Sequence, residues 1–307
     1  LLAMSATLEG EAVAGHLGGA PVVRCDGRRF PVETRYLGRP AAERQDASVA
    51  QAVLAAARAE TGSILVFLPG APEIRRVHRL LADALQGPEW VLAPLFGNLA
   101  KDEQDRAIAP APAGRRKVVL ATTIAETSLT IEGIRVVVDG GLARVPRFDV
   151  QSGMTRLATQ RVSRASAEQR RGRAGRTAPG VCYRLWDEAD EASLRPYDLP
   201  EILQADMAGL VLECAIWGVD EPGRLRWIDP PPAAACRQAA ELLAGLSALG
   251  RAAAAPAAGP HGAEGPQSRD GGGGVRSRGR LERARFHRVS TGAGRHGPAA
   301  APGGDGR

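Results

Sequence analysis

Short apolar runs alternate along the chain with stretches in which apolar residues recur every three to four positions. Ile64-Leu65-Val66-Phe67-Leu68 is apolar throughout and ends at Pro69-Gly70, the pattern of a strand buried on both faces. Ile74, Val77, His78, Leu81 and Leu85 then follow at helical spacing, with His78 expected to pack at the core or its edge. Val91–Leu95, Lys117–Ala121, Arg135–Asp139 and Val181–Trp186 read as further strands. Asp102–Ile108 reads as a short helix stopped by Pro110 and Pro112. Residues 142–163 break this rhythm, and Pro146, Asp149 and Ser152-Gly153 fit a hairpin or extended excursion. After Pro200, the stretch Glu201–Val219 predicts a helix with Ile202, Ala205, Met207, Leu210, Val211, Cys214 and Trp217 on its apolar face. A second helix is predicted over Ala239–Leu249, beyond Pro230-Pro231-Pro232. The fold expected is therefore α/β: a parallel sheet covered on both sides, then a small helical module packed by Trp217 and Trp227. Right-handed crossovers would set the strand-end loops along one rim, where α/β proteins usually bind ligands.

Residues 251–307 depart from that pattern. Gly and Pro dominate, and Val275, Leu281, Phe286 and Val289 are the only larger apolar residues. Such a segment cannot bury enough surface to offset its ordering entropy, so it is read as a disordered tail. The abruptness of the break after Leu249-Gly250 leaves a second reading open, a GC-rich gene translated in a shifted frame. The tail also carries the charge: the whole chain is +6, while ten Arg against Glu264, Asp270, Glu282 and Asp305 make the tail alone +6. Residues 1–250 are thus neutral, and the basic balance is no argument for a nucleic-acid partner. Lys101 and Lys117 are the only lysines. Cys25, Cys182, Cys214 and Cys236 form no C-x-x-C pair, so neither zinc nor a disulfide framework is expected, and the cytoplasm is the default compartment. No apolar run approaches the ~18 residues of a membrane span, and no signal segment opens the chain.

The residues with chemical content come in two clusters. The first is Gln169-Arg170-Arg171-Gly172-Arg173-Ala174-Gly175-Arg176, within a stretch holding seven Arg and one acid, Glu168, between Arg156 and Arg176. On a helix begun near Ser166, residues 169, 173 and 176 would share a face and present two guanidiniums and an amide. Permanently charged, fork-shaped guanidiniums suit phosphate oxygens. Gly172 and Gly175 would let another surface approach closely. The second cluster, Thr122-Thr123-Ile124-Ala125-Glu126-Thr127-Ser128-Leu129-Thr130-Ile131-Glu132, sets five hydroxyls and two carboxylates between two strands. Such groups can hold a phosphate or ribose, or simply cap a helix start.

Taken together, T-T-I-A-E-T-S-L-T-I-E-G-I and Q-R-R-G-R-A-G-R-T-A-P-G resemble motifs V and VI of the DEAH-box RNA helicases. Ser5-Ala6-Thr7 looks like motif III, and Leu65-Val66-Phe67-Leu68-Pro69-Gly70 like motif IV. Phe148-Asp149-Val150-Gln151-Ser152-Gly153-Met154, Arg164-Ala165-Ser166, Pro200-Glu201-Ile202-Leu203 and Asp229-Pro230-Pro231-Pro232 are similar to the bacterial HrpB subfamily. The likeness covers about residues 1–250. It implies the end of a first RecA-like domain over 1–29, a second RecA-like domain over 30–189, and a winged helix with the start of a helical bundle over 190–250. It further implies an NTP hydrolase that moves along single-stranded RNA, with ATP and magnesium between two lobes.

By the same resemblance, Arg173 and Arg176 would be arginine fingers on the γ-phosphate, and Gln169 would help place the attacking water. Ser128, Thr130, Glu132 and Arg170 would lie on the nucleotide, and Thr122, Thr123 and Gly70 on the RNA backbone. Ser5 and Thr7 would couple nucleotide state to domain closure. This chain departs from the family at Thr123, where Asn is usual, at Glu132, where Asp is common, and at Ile108, where an aromatic often stacks on adenine. Weak discrimination among nucleoside triphosphates follows from the last. Neither G-x-x-x-x-G-K-[ST] nor D-E-x-H is present, so this polypeptide alone is expected neither to hydrolyse ATP nor to unwind RNA. Two other readings stand beside it: a non-catalytic nucleic-acid-binding fragment, and a superfamily 2 translocase acting on DNA.

Overall fold

The computed structural model describes residues 3, 10–24, 30–126 and 129–249, so Ser5, Thr7, Cys25 and Ser128 lie outside the described residues. Two compact units divide the chain, residues 1–243 and 244–307. In the second, the described part is the end of one helix and a turn in which Ser247 has φ 58°.

The first unit is built on six parallel strands: β1 (Val32–Tyr36), β2 (Ser63–Phe67), β3 (Trp90–Leu95), β4 (Arg116–Ala121), β5 (Ile134–Asp139) and, after a hairpin of β6 (Leu142–Asp149) and β7 (Met154–Arg161), β8 (Gly180–Arg184). Their order is β1-β8-β5-β2-β4-β3. The helices are α1 (Gly10–His16), α2 (Gln45–Ala59), α3 (Ala71–Ala84), α4 (Lys101–Ile108), α5 (Arg164–Gly172), α6 (Ala208–Ile216) and α7 (Ala233–Gly245). Alternation along a strand feeds two cores at once. Ile64, Val66 and Leu68 pack with Val49 and Val53 of α2 and Ile74 and Val77 of α3. Leu65 and Phe67 face the other way, onto Ala107, Ala125 and Ala174. The parallel sheet covered on both faces is thus present, as the all-apolar strands predict.

Several elements differ from the sequence pattern. β1 and α2 were not foreshadowed by it: Val-Glu-Thr-Arg-Tyr mixes charge into an edge strand, and α2 buries Val49, Ala50, Ala52, Val53 and Ala56, whose small side chains give little contrast. The helix expected from Glu201 is a single 3-10 turn, Glu201–Leu203, and α6 starts only at Ala208, whose N–H donates to the Asp206 carboxylate at 2.9 Å. The last helix starts earlier than expected, at Ala233 directly after Pro232, a residue suited to a helix start. Trp217 does not pack the helical module; it is 83% exposed. Trp227 is half-buried and donates its indole N–H to the Pro222 carbonyl at 2.7 Å. Cys182 and Cys214 are buried, and burial pushes the Cys182 thiol up to about 12.

Two adjacent cations at the start of β4 fix a helix on each face of the sheet. Arg116 points to the side of α2 and donates to the carbonyls of Ala57, Glu60 and Gly62, each at 2.8 Å, while lying over the Trp90 ring at 4.4 Å. Lys117 points the opposite way and donates to the carbonyls of Arg106, Ala107 and Ala109 at 2.9, 3.3 and 2.5 Å. Each satisfies the orphan carbonyls and negative pole at a helix C-terminus. Burial holds the Lys117 ammonium below the usual lysine range.

The chain after α5 is held against β1 by close backbone approach. Ser163 caps α5, its hydroxyl accepting from the Ser166 N–H at 3.1 Å, and the helix ends at Gly172. Arg173 and Arg176 therefore sit in the turn beyond it and do not share a helical face with Gln169, contrary to the expectation from spacing. A Cβ on Gly175 would come within 2.6 Å of the Phe30 carbonyl oxygen and 2.7 Å of Val32 Cγ2, whereas one on Gly172 would meet nothing within 4 Å. Close approach thus explains one glycine and not the other.

Chemical denaturation should separate both pairs. Lys117→Ala, which strips buried carbonyls of their donor, is expected to cost about 1–3 kcal/mol, and Lys101→Ala, on the exposed start of α4, less than about 0.5 kcal/mol. Gly175→Ala should destabilise by roughly 1–3 kcal/mol. Gly172→Ala should be neutral, or stabilising by up to about 1 kcal/mol through helix propensity.

Candidate functional site

β4 and β5 run parallel, so residues 122–133 must travel from the carboxyl end of one to the amino end of the other. Among the described residues of this segment the regular structure is a 3-10 turn, Thr123–Ala125. Ala125 and Ile131 pack into the core beneath, and Leu129 partly so. Thr122 and Thr123 are left at the carboxyl end, and Thr130 and Glu132 at the amino end, both exposed. The two groups of candidates therefore stand at opposite ends of the sheet rather than along one rim.

α5 runs beside this segment and is joined to it by buried charge. Arg170, 1% exposed, donates from Nε to the Glu126 carboxylate at 2.6 Å and from Nη1 to Asp139 Oδ1 at 2.8 Å. Nη1 also reaches the Leu142 carbonyl at 3.2 Å, and the guanidinium lies over the Phe67 ring at 4.9 Å. Asp139, fully buried, accepts in addition from the Gly141 N–H at 2.9 Å. Burial raises the Glu126 carboxyl above the usual range despite Arg170 and Ser166, which lower it. Arg170 therefore faces the interior and not a nucleotide, because its donors are taken by two carboxylates and a carbonyl. Glu126 and Asp139 were not singled out from sequence, although a carboxylate ending the otherwise apolar Val136-Val137-Val138 signals a buried cationic partner.

Arg173 is also buried, at 5% exposed, but its partners differ. Its guanidinium donates to the backbone carbonyls of Glu126 and Leu129, the latter at 2.5 Å. Burial, and then the charge of Arg176, lower Arg173 to about 10, so it stays protonated at neutral pH. Arg176 is exposed and donates from Nη1 to Thr130 Oγ1 at 2.8 Å. Arg173 and Arg176 thus line a small cavity with Leu129, Ala125 and Ile131, and Thr130 stands beside it through its bond to Arg176. Gln169 is half-buried on α5, one turn back from this group. Glu132 follows Thr130 by two residues, just before β5.

At the carboxyl end, Thr123 is exposed and Thr122 half-buried, and the Thr122 N–H donates to the Leu95 carbonyl at 3.2 Å. Gly70 begins α3 but is itself buried, with Arg144 Nη1 2.5 Å from where its Cβ would lie. The polar group that reaches the surface at this corner is therefore Arg144, paired with Glu73 at 3.0 Å. Ile108 is partly buried against Ala107 and Leu95, at the end of α4.

Residues 46–178 match the family described as the helicase conserved C-terminal domain. The chain is 51% identical over 249 residues to the ATP-dependent RNA helicase HrpB of Escherichia coli (strain K12), covering 81% of this chain and 31% of that protein. It is 40% identical over 255 residues to the probable ATP-dependent RNA helicase DHX34 of Mus musculus, with coverages of 78% and 22%. With the pre-mRNA-splicing factor ATP-dependent RNA helicase prp22 of Schizosaccharomyces pombe it shares 39% over 257 residues, with coverages of 81% and 22%. Among solved structures, the Escherichia coli DEAH/RHA helicase HrpB superposes with a TM-score of 0.76 at 50% identity, over 81% of this chain and 32% of that one. This chain spans about a third or less of the length of each of these relatives. Motif strings, fold and matched domain agree, and the chain belongs to the DEAH-box RNA helicase family, carrying its conserved C-terminal helicase domain.

Proposed function

We propose that this chain supplies the second of two lobes of an ATP-dependent, cytoplasmic RNA helicase, closing on a nucleotide bound mainly by the other lobe. One observation carries the reading: Arg173 is a buried cation whose hydrogen bonds go to neutral carbonyls, with a second guanidinium, Arg176, exposed beside it. A buried charge is ordinarily compensated by an opposite one, as Arg170 is by Glu126 and Asp139. Arg173 has only a share in the Glu126 carboxylate, which is already paired with Arg170, and an anion arriving at Arg176 would complete its compensation. The charge of a γ-phosphoryl group in transfer spreads over its equatorial oxygens, which is what a pair of preorganised guanidiniums stabilises.

On this reading the nucleotide supplies the phosphoryl group, Arg173 and Arg176 hold its oxygens, and Gln169 orients water. Thr130 fixes Arg176, and Glu132 reaches the ribose. Among the described residues, no three His, Cys, Asp or Glu side chains are grouped to hold a metal, so the magnesium ion is assigned to the phosphates and the first lobe. Thr122 and Thr123 would meet the sugar-phosphate backbone, which carries no base sequence, so binding should be sequence-independent. Among the described residues no helix is long and apolar enough to cross a membrane. The similarity to relatives named as RNA helicases favours RNA over DNA as the strand.

The test replaces the aligned region of E. coli HrpB with residues 30–249 and measures RNA-stimulated NTP hydrolysis, beside the 307-residue chain alone. The chimera should turn over ATP and the chain alone should not; activity of the chain alone would refute the proposed division of labour. In the chimera, Arg176→Ala should lower kcat by at least about 10³ with stability unchanged, the scale of an arginine finger. Arg170→Ala should instead unfold the lobe, costing about 3–5 kcal/mol by leaving two buried carboxylates uncompensated. ATP, GTP and CTP should be turned over at similar rates, since Ile108 offers no aromatic face.

A further inference from the structure

A second feature lies at the carboxyl end of the sheet, outside both groups of motif residues. An open groove of about 540 Å³ runs between α3 and the segment that leaves β3. Ile74, Arg75, His78 and Arg79 of α3 line it together with Pro94, Phe96 and Leu99. Its volume falls in the range of small-ligand sites. Arg75 lies 5.8 Å from the centroid of the Phe96 ring, so a cation and an aromatic face are presented together.

The charges on α3 are not distributed evenly. Arg76 is neutralised by Asp46 and by Glu73, the latter at 2.9 Å. Arg75 and Arg79, four residues apart and therefore on one face, make no ion pair among the described residues. No carboxylate lines the groove. The permanent positive charge of this helix is thus concentrated where an apolar cleft opens beneath it.

Sheet order supplies the occupant. The strands succeed one another as β2-β4-β3, so their carboxyl ends set Gly70, then Thr122, then Phe96 in sequence across the same end of the domain. The Thr122 N–H bonded to the Leu95 carbonyl joins the last two directly. A polynucleotide whose backbone follows Thr122 and Thr123 meets this groove next. We propose that the groove takes one nucleotide of that single-stranded RNA, its base against Phe96 and the adjoining phosphates on Arg75 and Arg79. This extends the RNA-helicase reading and rests on it. Stacking on a ring accepts any base, and the guanidiniums read only phosphate, so the site adds length to the bound strand without adding sequence preference.

The test is fluorescence anisotropy of the 307-residue chain with labelled oligouridine of about six and about twelve nucleotides, across a salt series. Arg75→Glu/Arg79→Glu is compared with Arg58→Glu/Arg237→Glu, an equal charge change at exposed sites elsewhere, each confirmed folded by circular dichroism. The groove pair should weaken the twelve-mer about tenfold, lower its salt slope by about two, and change the six-mer less than about twofold. Phe96→Leu should weaken the twelve-mer with the slope unchanged. Equal losses in the control pair, or equal losses for both lengths, would reduce the effect to general electrostatics and overturn the proposal. Unchanged twelve-mer binding would do the same and leave the groove to another occupant, such as a protein helix. Failure of the unaltered chain to bind either oligonucleotide would instead remove the RNA reading itself.

Discussion

The structure is organised around one buried cation. Arg170 carries a full charge into an interior where Asp139 is fully enclosed, and that is tolerable only if its carboxylate partners stay within hydrogen-bond reach. The requirement fixes four parts of the chain relative to one another: the end of β5 through Asp139, the entry to the hairpin through the Leu142 carbonyl, the crossover through Glu126, and α5 itself. Hydrophobic contact alone would let these slide, since apolar packing is non-directional. The ion pairs remove that freedom at the point where α5 delivers the chain to Arg173.

Glu126 then serves twice. Its carboxylate holds Arg170 and its backbone carbonyl accepts from Arg173, so the residue that anchors the fold also seats the second buried guanidinium, that of Arg173. Thr122 and Thr123 lie four and three residues upstream, on the same short stretch. Among the described residues that stretch carries one 3-10 turn, Thr123–Ala125.

Much of this was legible from residue order, and the exceptions share physical causes. Buried strands such as Ile64–Phe67 and Val136–Val138 declare themselves because both faces demand apolar residues. β1 stayed hidden because an edge strand tolerates Glu33 and Arg35, and α2 because alanine fills a helix interface without periodic contrast. The grouping of Arg173 with Arg176 was foreseen, but by a helical face that does not exist; a turn past Gly172 brings them together instead. Arg170 could not be told from its neighbours, since three arginines within four residues differ only in what they touch. Trp217 shows the converse failure, where helical spacing pointed inward and the side chain faces solvent.

The position of β1 has a bearing on how the molecule is made. Arg35 and Tyr183 are register partners 148 residues apart, and among the described residues no strand between them pairs with β1. At a ribosomal rate of roughly 5–20 residues per second, β1 is finished about 7–30 s before its neighbour β8 emerges. Throughout that interval Val32–Tyr36 presents unsatisfied backbone groups, and its two charges are then its main protection against pairing with the wrong chain. The same Glu33 and Arg35 that obscured the strand are thus what keeps it soluble while it waits.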